Sequence, residues 1–156
     1  MDSGMKNLPH IPEAYHSVTP SLTSKSADAS LKFYVAAFGA VEHFRLPDEK
    51  TGGVAHAEFK IGNSILMISD EYPSFGSFAP DFAKGGSFMI YVPNCDTSFA
   101  QAIAAGATAL TQPTDQFWGD RTAMVADPFG YRWTVAQKVS SPTPEEMAEG
   151  MKNFCG

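Results

Sequence analysis

Cysteine is scarce in this sequence, which has two among its 156 residues, Cys95 and Cys155. Neither belongs to a CxxC or a Cys/His cluster, so a thiolate zinc site has no support, and nothing motivates a structural disulfide. Two scattered thiols fit a reducing compartment, and the chain is expected to be cytoplasmic. Residues 1–13 lack both an apolar core and a cleavage-like signal. No apolar run approaches the ~20 residues that span a bilayer, so no membrane association is expected. Basic runs are also missing. Eleven Lys and Arg stand against 17 Asp and Glu, and the formal charge of −6 repels a polyanion, which argues against nucleic acid. Gly52-Gly53 and Gly85-Gly86 are neither GxGxxG nor P-loop patterns. No GxSxG or Cys/His nucleophile pattern stands out.

The remaining composition, 44% hydrophobic and 18% charged, is that of one globular domain. Residues 1–14 read as an irregular lead-in with Pro9 and Pro12. Residues 16–22 read as a strand, with Pro20 marking an edge or bulge. Ser26 caps a helix over residues 27–38, in which Leu31, Tyr34, Val35 and Phe38 recur at helical spacing and Gly39 ends the run. A short strand at 41–45, a turn at 47–53, and strands at 54–61 and 64–69 follow. Gly62-Asn63 suits a two-residue hairpin turn. Residues 70–86 have no periodicity but carry Tyr72, Phe75, Phe78 and Phe82. Such a length is either a crossover tacked down by its aromatics or a pocket wall or dimer contact.

The pattern then repeats. Residues 87–92 form a strand, Asn94 or Asp96 caps a helix ending at Gly106, and short strands are expected at 108–110, 121–125 and 132–136 around the turn Asp127-Pro128-Phe129-Gly130. The pairs Gly62/Gly130 and Ser26/Asn94 are both offset by 68 residues, and the helix-ending Gly39-Ala40 and Gly106-Ala107 by 67. The chain thus reads as an α+β fold of two βαβββ modules, at 15–70 and 87–138, joined by an aromatic-rich connection at 71–86. Each module has one helix to cover one curved sheet, and two together close a cup. A tail at 139–156 starts a short helix, with Thr143 as cap, Pro144 at its first position and Glu145-Glu146 in its first turn.

The motifs LKFYVAAFGA, HAEFKIGNSILMISD, TDQFWGDR and DPFGYRW, set in two such modules over residues 15–138, resemble the vicinal oxygen chelate superfamily of glyoxalases, bleomycin-resistance proteins and dioxygenases, and its PhnB-like branch most closely. The resemblance implies a curved eight-stranded mixed sheet and a homodimer whose modules pair or swap between chains. It also implies a divalent metal held by His, Glu or Gln on the first and last strands of each module. Those positions map to Thr19, Leu66, Ser87 and Thr134. None is a usual ligand, so no cofactor is expected.

His56 and Glu58 share one strand face and are the best ionisable pair. A two-residue turn sets Phe59 opposite Leu66, which would leave Phe59 on the family's cavity side and His56 and Glu58 on the other; a bulge would reverse this. The segment Gln116–Arg121 mixes aromatics with charge. There Phe117, Trp118 and Arg121 could hold a planar or anionic ligand, unless Arg121 pairs with Asp120 or Asp127. His10, His16 and His43 read as surface residues. Cys95 at a helix start could have a lowered pKa, or be a buried inert thiol.

The favoured expectation is a small-molecule-binding protein with a pocket lined by Phe59, Leu66, Phe117, Trp118 and Arg121. The alternative is a lyase, isomerase or transferase of the glyoxalase or fosfomycin-resistance type, for which His56, Glu58 and Asp120 are the catalytic candidates.

Overall fold

A computed structural model describes residues 8–154. The chain runs β1 (Ser21–Ser24), α1 (Ala27–Phe38), β2 (Val41–Pro47), β3 (Val54–Ile61), β4 (Ser64–Asp70), β5 (Ser87–Tyr91), α2 (Cys95–Ala105), β6 (Thr108–Asp115), β7 (Asp120–Ala126), β8 (Arg132–Lys138) and α3 (Pro144–Phe154). The two long helices begin and end by the same chemistry. The side chains of Ser26 and Asn94 accept from the amides of Ala29 and Thr97, at 3.1 and 2.9 Å. Gly39 and Gly106 stop the helices at φ +68° and +116°, a region that costs residues with a Cβ about 1 kcal/mol or more.

The eight strands form two four-stranded sheets, ordered β1-β4-β3-β2 and β5-β8-β7-β6, each with one parallel pair at the β1 or β5 edge. The β3–β4 hairpin has the register of a two-residue turn, with Ile61 facing Ser64 and Phe59 facing Leu66. Other boundaries differ from the sequence expectation. β1 begins at Ser21 rather than residue 16, because the segment through Pro20 lies outside the ladder except for its carbonyl, which accepts from the Met67 amide at 2.9 Å. β2 and β6 run longer than expected. Both are mostly exposed edge strands with register shifts, so no buried alternation marks their ends in the sequence.

α1 covers the β3–β4 face that carries Ala57, Phe59, Leu66 and Ile68. Its buried stripe is Ala27, Ser30, Leu31, Phe33, Tyr34 and Ala37. Val35, expected inside, is 49% exposed, and Phe33 takes its place. One core spans both modules: Tyr34 stacks on Phe59 with ring centroids 5.6 Å apart and tilts against Trp133 of the second module at 5.2 Å. Each helix is also pinned to its own sheet through an aspartate in its first turn. Asp28 accepts from Arg45 of β2 at 2.7 Å, and Asp96 accepts from Nε and Nη2 of Arg121 of β7 at 2.7 and 2.9 Å.

The connection from residue 71 to 86 contains a single 3-10 turn, Pro73–Phe75. Its aromatics do not all tack it down: Phe75, Phe78 and Phe82 are 86, 62 and 57% exposed. Tyr72 hydrogen-bonded to Asp48, Ser77 to Thr23 and the Gly85 amide to the Gly130 carbonyl hold it instead. α3 starts at a reciprocal cap, in which the Thr143 hydroxyl accepts from the Glu146 amide and the Glu146 carboxylate from the Thr143 amide. Its Gly150 lies against the Phe117 ring, where an added Cβ would come within 2.6 Å.

Candidate functional site

β1 and β5 are sheet edges, and the modules leave a cleft of about 450 Å³ between β5 and the β3–β4 turn. Leu66, Ser87, Phe88, Met89, Tyr91 and Trp133 contribute to its wall, and none of its lining side chains is charged. Met89 and Tyr91 stand 50 and 63% exposed on the open face of β5. The Tyr91 hydroxyl donates to Asp120 Oδ2 at 2.9 Å, and that carboxylate pushes the phenol up from its ordinary value. Asp120 itself is buried, on the second sheet, away from the strand of His56 and Glu58.

Of the residues expected to line a pocket, Leu66 reaches the cleft and the others do not. Phe59 is wholly buried beneath α1. Phe117 and Trp118 pack against each other and against Phe154 of α3, with centroids 5.0 to 6.1 Å apart, so they seat the terminal helix. Arg121 pairs with neither Asp120 nor Asp127. Its guanidinium is taken up by Asp96 and Asp115, and those carboxylates raise its pKa further. The lining that sequence reasoning missed is Phe88, Met89, Tyr91 and Trp133. The alternation of Ser87–Tyr91 held the signal, since Met89 and Tyr91 must share the face of Ser87.

The second correction concerns the faces of the first sheet. The register Phe59 opposite Leu66 is as read, but that side belongs to the helix-covered core. His56 and Glu58 therefore lie on the open face, with Nε2 of His56 3.3 Å from Oε1 of Glu58. Partial burial, and then the Glu58 carboxylate, push the neighbouring Tyr15 phenol up in pKa. His10, His16 and His43 are exposed. Cys95 is buried, its thiol donating to the Val135 carbonyl at 3.4 Å, and burial raises rather than lowers its pKa. Cys155 lies outside the described residues.

The four positions at which relatives would hold a metal offer poor ligands. Ser87 shares a face with Met89 and Thr134, because Met89 stands opposite Thr134 in the register. Thr19 lies beside Met67 at the lead-in. Leu66 lies on the helix-covered side and reaches the inner wall of the cleft, and its neighbours on the open face are Ile65 and Met67. Hydroxyls, a thioether and alkyl groups do not fit a transition-metal site that needs imidazole or carboxylate. Among the described residues no three His, Cys, Asp or Glu gather into a metal-binding group.

Two βαβββ modules, each with its helix on one sheet face and a cleft between them, define the architecture of glyoxalases and bleomycin-resistance proteins. The model of the Glyoxalase/Bleomycin resistance protein/Dioxygenase superfamily matches residues 14–135, and the chain belongs to that superfamily. It is 36% identical over 141 residues to an uncharacterized protein of Mycobacterium tuberculosis, covering 87% of this chain and 82% of that one. It is 30% identical over 129 residues to an uncharacterized protein of Arabidopsis thaliana, covering 78 and 76%. Among solved structures, TioX from Micromonospora sp. ML1 superposes with a TM-score of 0.64 at 23% identity, covering 78% of this chain and 98% of that one. A glyoxalase-related enzyme from Fulvimarina pelagi gives 0.60 at 18% identity, covering 82 and 99%. These structural likenesses establish the fold.

Proposed function

We propose that this chain is a cytoplasmic small-molecule-binding protein of the glyoxalase/bleomycin-resistance type, on the PhnB-like branch, which works as a homodimer without the superfamily's metal. The observation that carries the reading is the cleft of about 450 Å³, walled by Phe88, Met89, Tyr91 and Trp133 and free of charged side chains. A concave, mostly apolar site with a few hydroxyls is what binding a flat or aromatic molecule requires. The poor ligand set at Thr19, Leu66, Ser87 and Thr134 supports the metal-free form. Val41, Phe44 and Leu46, each about half exposed on the β2 edge, support a second copy as partner.

Calorimetric titration with bleomycin and a panel of uncharged bicyclic aromatics tests it, alongside sedimentation equilibrium. One site per chain and a dimer mass are expected; no binding across the panel sinks the reading.

A further inference from the structure

Ser87-Phe88-Met89-Ile90-Tyr91 is a strand without charge, proline or bulge, and it ends its sheet. Proteins usually blunt an edge with one of those devices, because a bare edge offers unpaired backbone groups to any extended chain. The register fixes which groups these are. The Arg132 amide donates to the Gly86 carbonyl and the Val92 amide to the Ala136 carbonyl, and between them Ser87, Met89 and Tyr91 stand opposite Arg132, Thr134 and Ala136 in a parallel ladder. The backbone groups of Phe88 and Ile90 are therefore spent on β8. Those of Ser87, Met89 and Tyr91 point away from it, and no other backbone group takes them among the described residues. The matching edge of the first module is closed. Thr23, 68 residues before Tyr91, has its amide donating to the Tyr131 hydroxyl at 3.0 Å and its carbonyl accepting from that hydroxyl at 3.2 Å.

The cleft runs along this bare edge, since all five residues of β5 contribute to its wall and Pro20 and residues 61–64 of the β3–β4 hairpin stand across from them. We propose that the ligand of the cleft is a short, uncharged peptide that adds to β5 as a further strand, its backbone paired with Ser87, Met89 and Tyr91. This rests on the binding reading above and names the class of ligand for it. Main-chain bonds to a free edge supply affinity, and alternate side chains supply selectivity. The two faces of β5 set that alternation: Phe88 and Ile90 lean on the core, while Ser87, Met89 and Tyr91 are exposed on the open face. Every second side chain of the peptide is therefore apolar, and those between can meet the hydroxyls of Ser87 and Tyr91. The lining carries no charge to match a charged peptide. A space of about 450 Å³ with the hairpin on its far side takes one short strand, whereas the edge of another sheet would bring its neighbouring strands with it.

The test titrates the full chain with the blocked peptide acetyl-Thr-Val-Thr-Val-Thr-amide and follows single amides by hydrogen exchange in NMR. In the free protein the amides of Ser87, Met89 and Tyr91 should exchange fast and those of Phe88 and Ile90 slowly. The peptide should slow the first three about tenfold or more and leave the other two unchanged. Two further peptides carry N-methyl groups on the valines alone or on the threonines alone. One of them should bind about tenfold or more weaker, and the other nearly as well as the parent, because successive amides of a strand point to opposite edges. Loss with the threonine set marks an antiparallel strand, and loss with the valine set a parallel one. Equal effects of the two sets, or binding that leaves the three amides unprotected, overturns the proposal. Protection of those amides before any peptide is added also overturns it, since a second copy then holds the edge. If bicyclic aromatics bind and the peptide does not, strand addition falls and the binding reading stands; if neither binds, both fall.

Discussion

The hydroxyl of Tyr34, on the first helix, donates to Oδ2 of Asp127, in the last turn of the second module, at 2.7 Å. The same carboxylate accepts from the Trp133 indole at 2.8 Å and from the Phe129 and Tyr131 amides at 2.8 and 3.0 Å. Burial, and then Asp127 itself, push the Tyr34 phenol far up in pKa, so it remains a donor. One side chain thus closes a turn, seats a tryptophan and ties the two modules together. Asp127→Ala strands four donors in the interior and should cost more than about 4 kcal/mol in urea unfolding, whereas Tyr34→Phe, which removes one bond to a buried carboxylate, should cost about 1–3 kcal/mol. Equal losses would show that the link between modules, and not the turn, dominates.

Gly150 should obey the opposite of helix propensity. Alanine is ordinarily better in a helix by up to ~1 kcal/mol. Here its Cβ would meet the Phe117 ring at 2.6 Å. G150A is expected to lift α3 from Phe117 and Trp118, seen as faster hydrogen exchange across Pro144–Phe154 and a shift in Trp118 fluorescence, with little change in the main unfolding transition.

Acid should loosen both helices at their first turns. Arg45, then Lys32, holds the Asp28 carboxyl below its ordinary value, and Arg121 does the same for Asp96. A carboxyl depressed in the folded state contributes stability above its unfolded pKa of about 3.9, and that contribution fades as pH falls through the lower folded value. D28N and D96N should therefore be less stable than wild type at neutral pH and converge with it in acid. The acid limb should flatten in 1 M salt, since both pairs are solvent-exposed.

Met89→Trp should fill the cleft from an exposed position on β5. The melting temperature is expected to hold while calorimetric binding of an uncharged aromatic falls at least tenfold. Because no charged side chain lines the cleft, wild-type binding should change little between low and high salt.

Elemental analysis of protein purified without chelator should find no stoichiometric transition metal. One equivalent of zinc, nickel, iron or manganese would contradict the metal-free reading.

The fold was legible because duplication supplied each local signal twice. The caps Ser26 and Asn94 and the stops Gly39 and Gly106 are chemistry that a helix end demands whatever packs on it. The site was less legible because alternation along Val54–Ile61 divides residues into two faces without saying which one a helix will cover. Phe59 and Leu66 do stand opposite each other, but Leu66 reaches the cleft while Phe59 is buried beneath α1. Aromatics misled for a related reason. Phe117 and Trp118 look like a ligand platform, and only the position of α3 shows that Phe154 occupies it. The crossover showed the converse, with Phe75, Phe78 and Phe82 left to solvent while Tyr72, Ser77 and Gly85 make the attachments.

Asp28 and Asp96 are 68 residues apart and hold the same place in their helices. Their arginines do not correspond, for Arg45 comes from the second strand of its module and Arg121 from the third. The acid follows the repeat, and its base does not. The halves are therefore no longer spare parts for one another: a chimera carrying the first helix on the second sheet would keep every cap and glycine stop, yet set Asp96's counterpart against an arginine that approaches from a strand its own module never used.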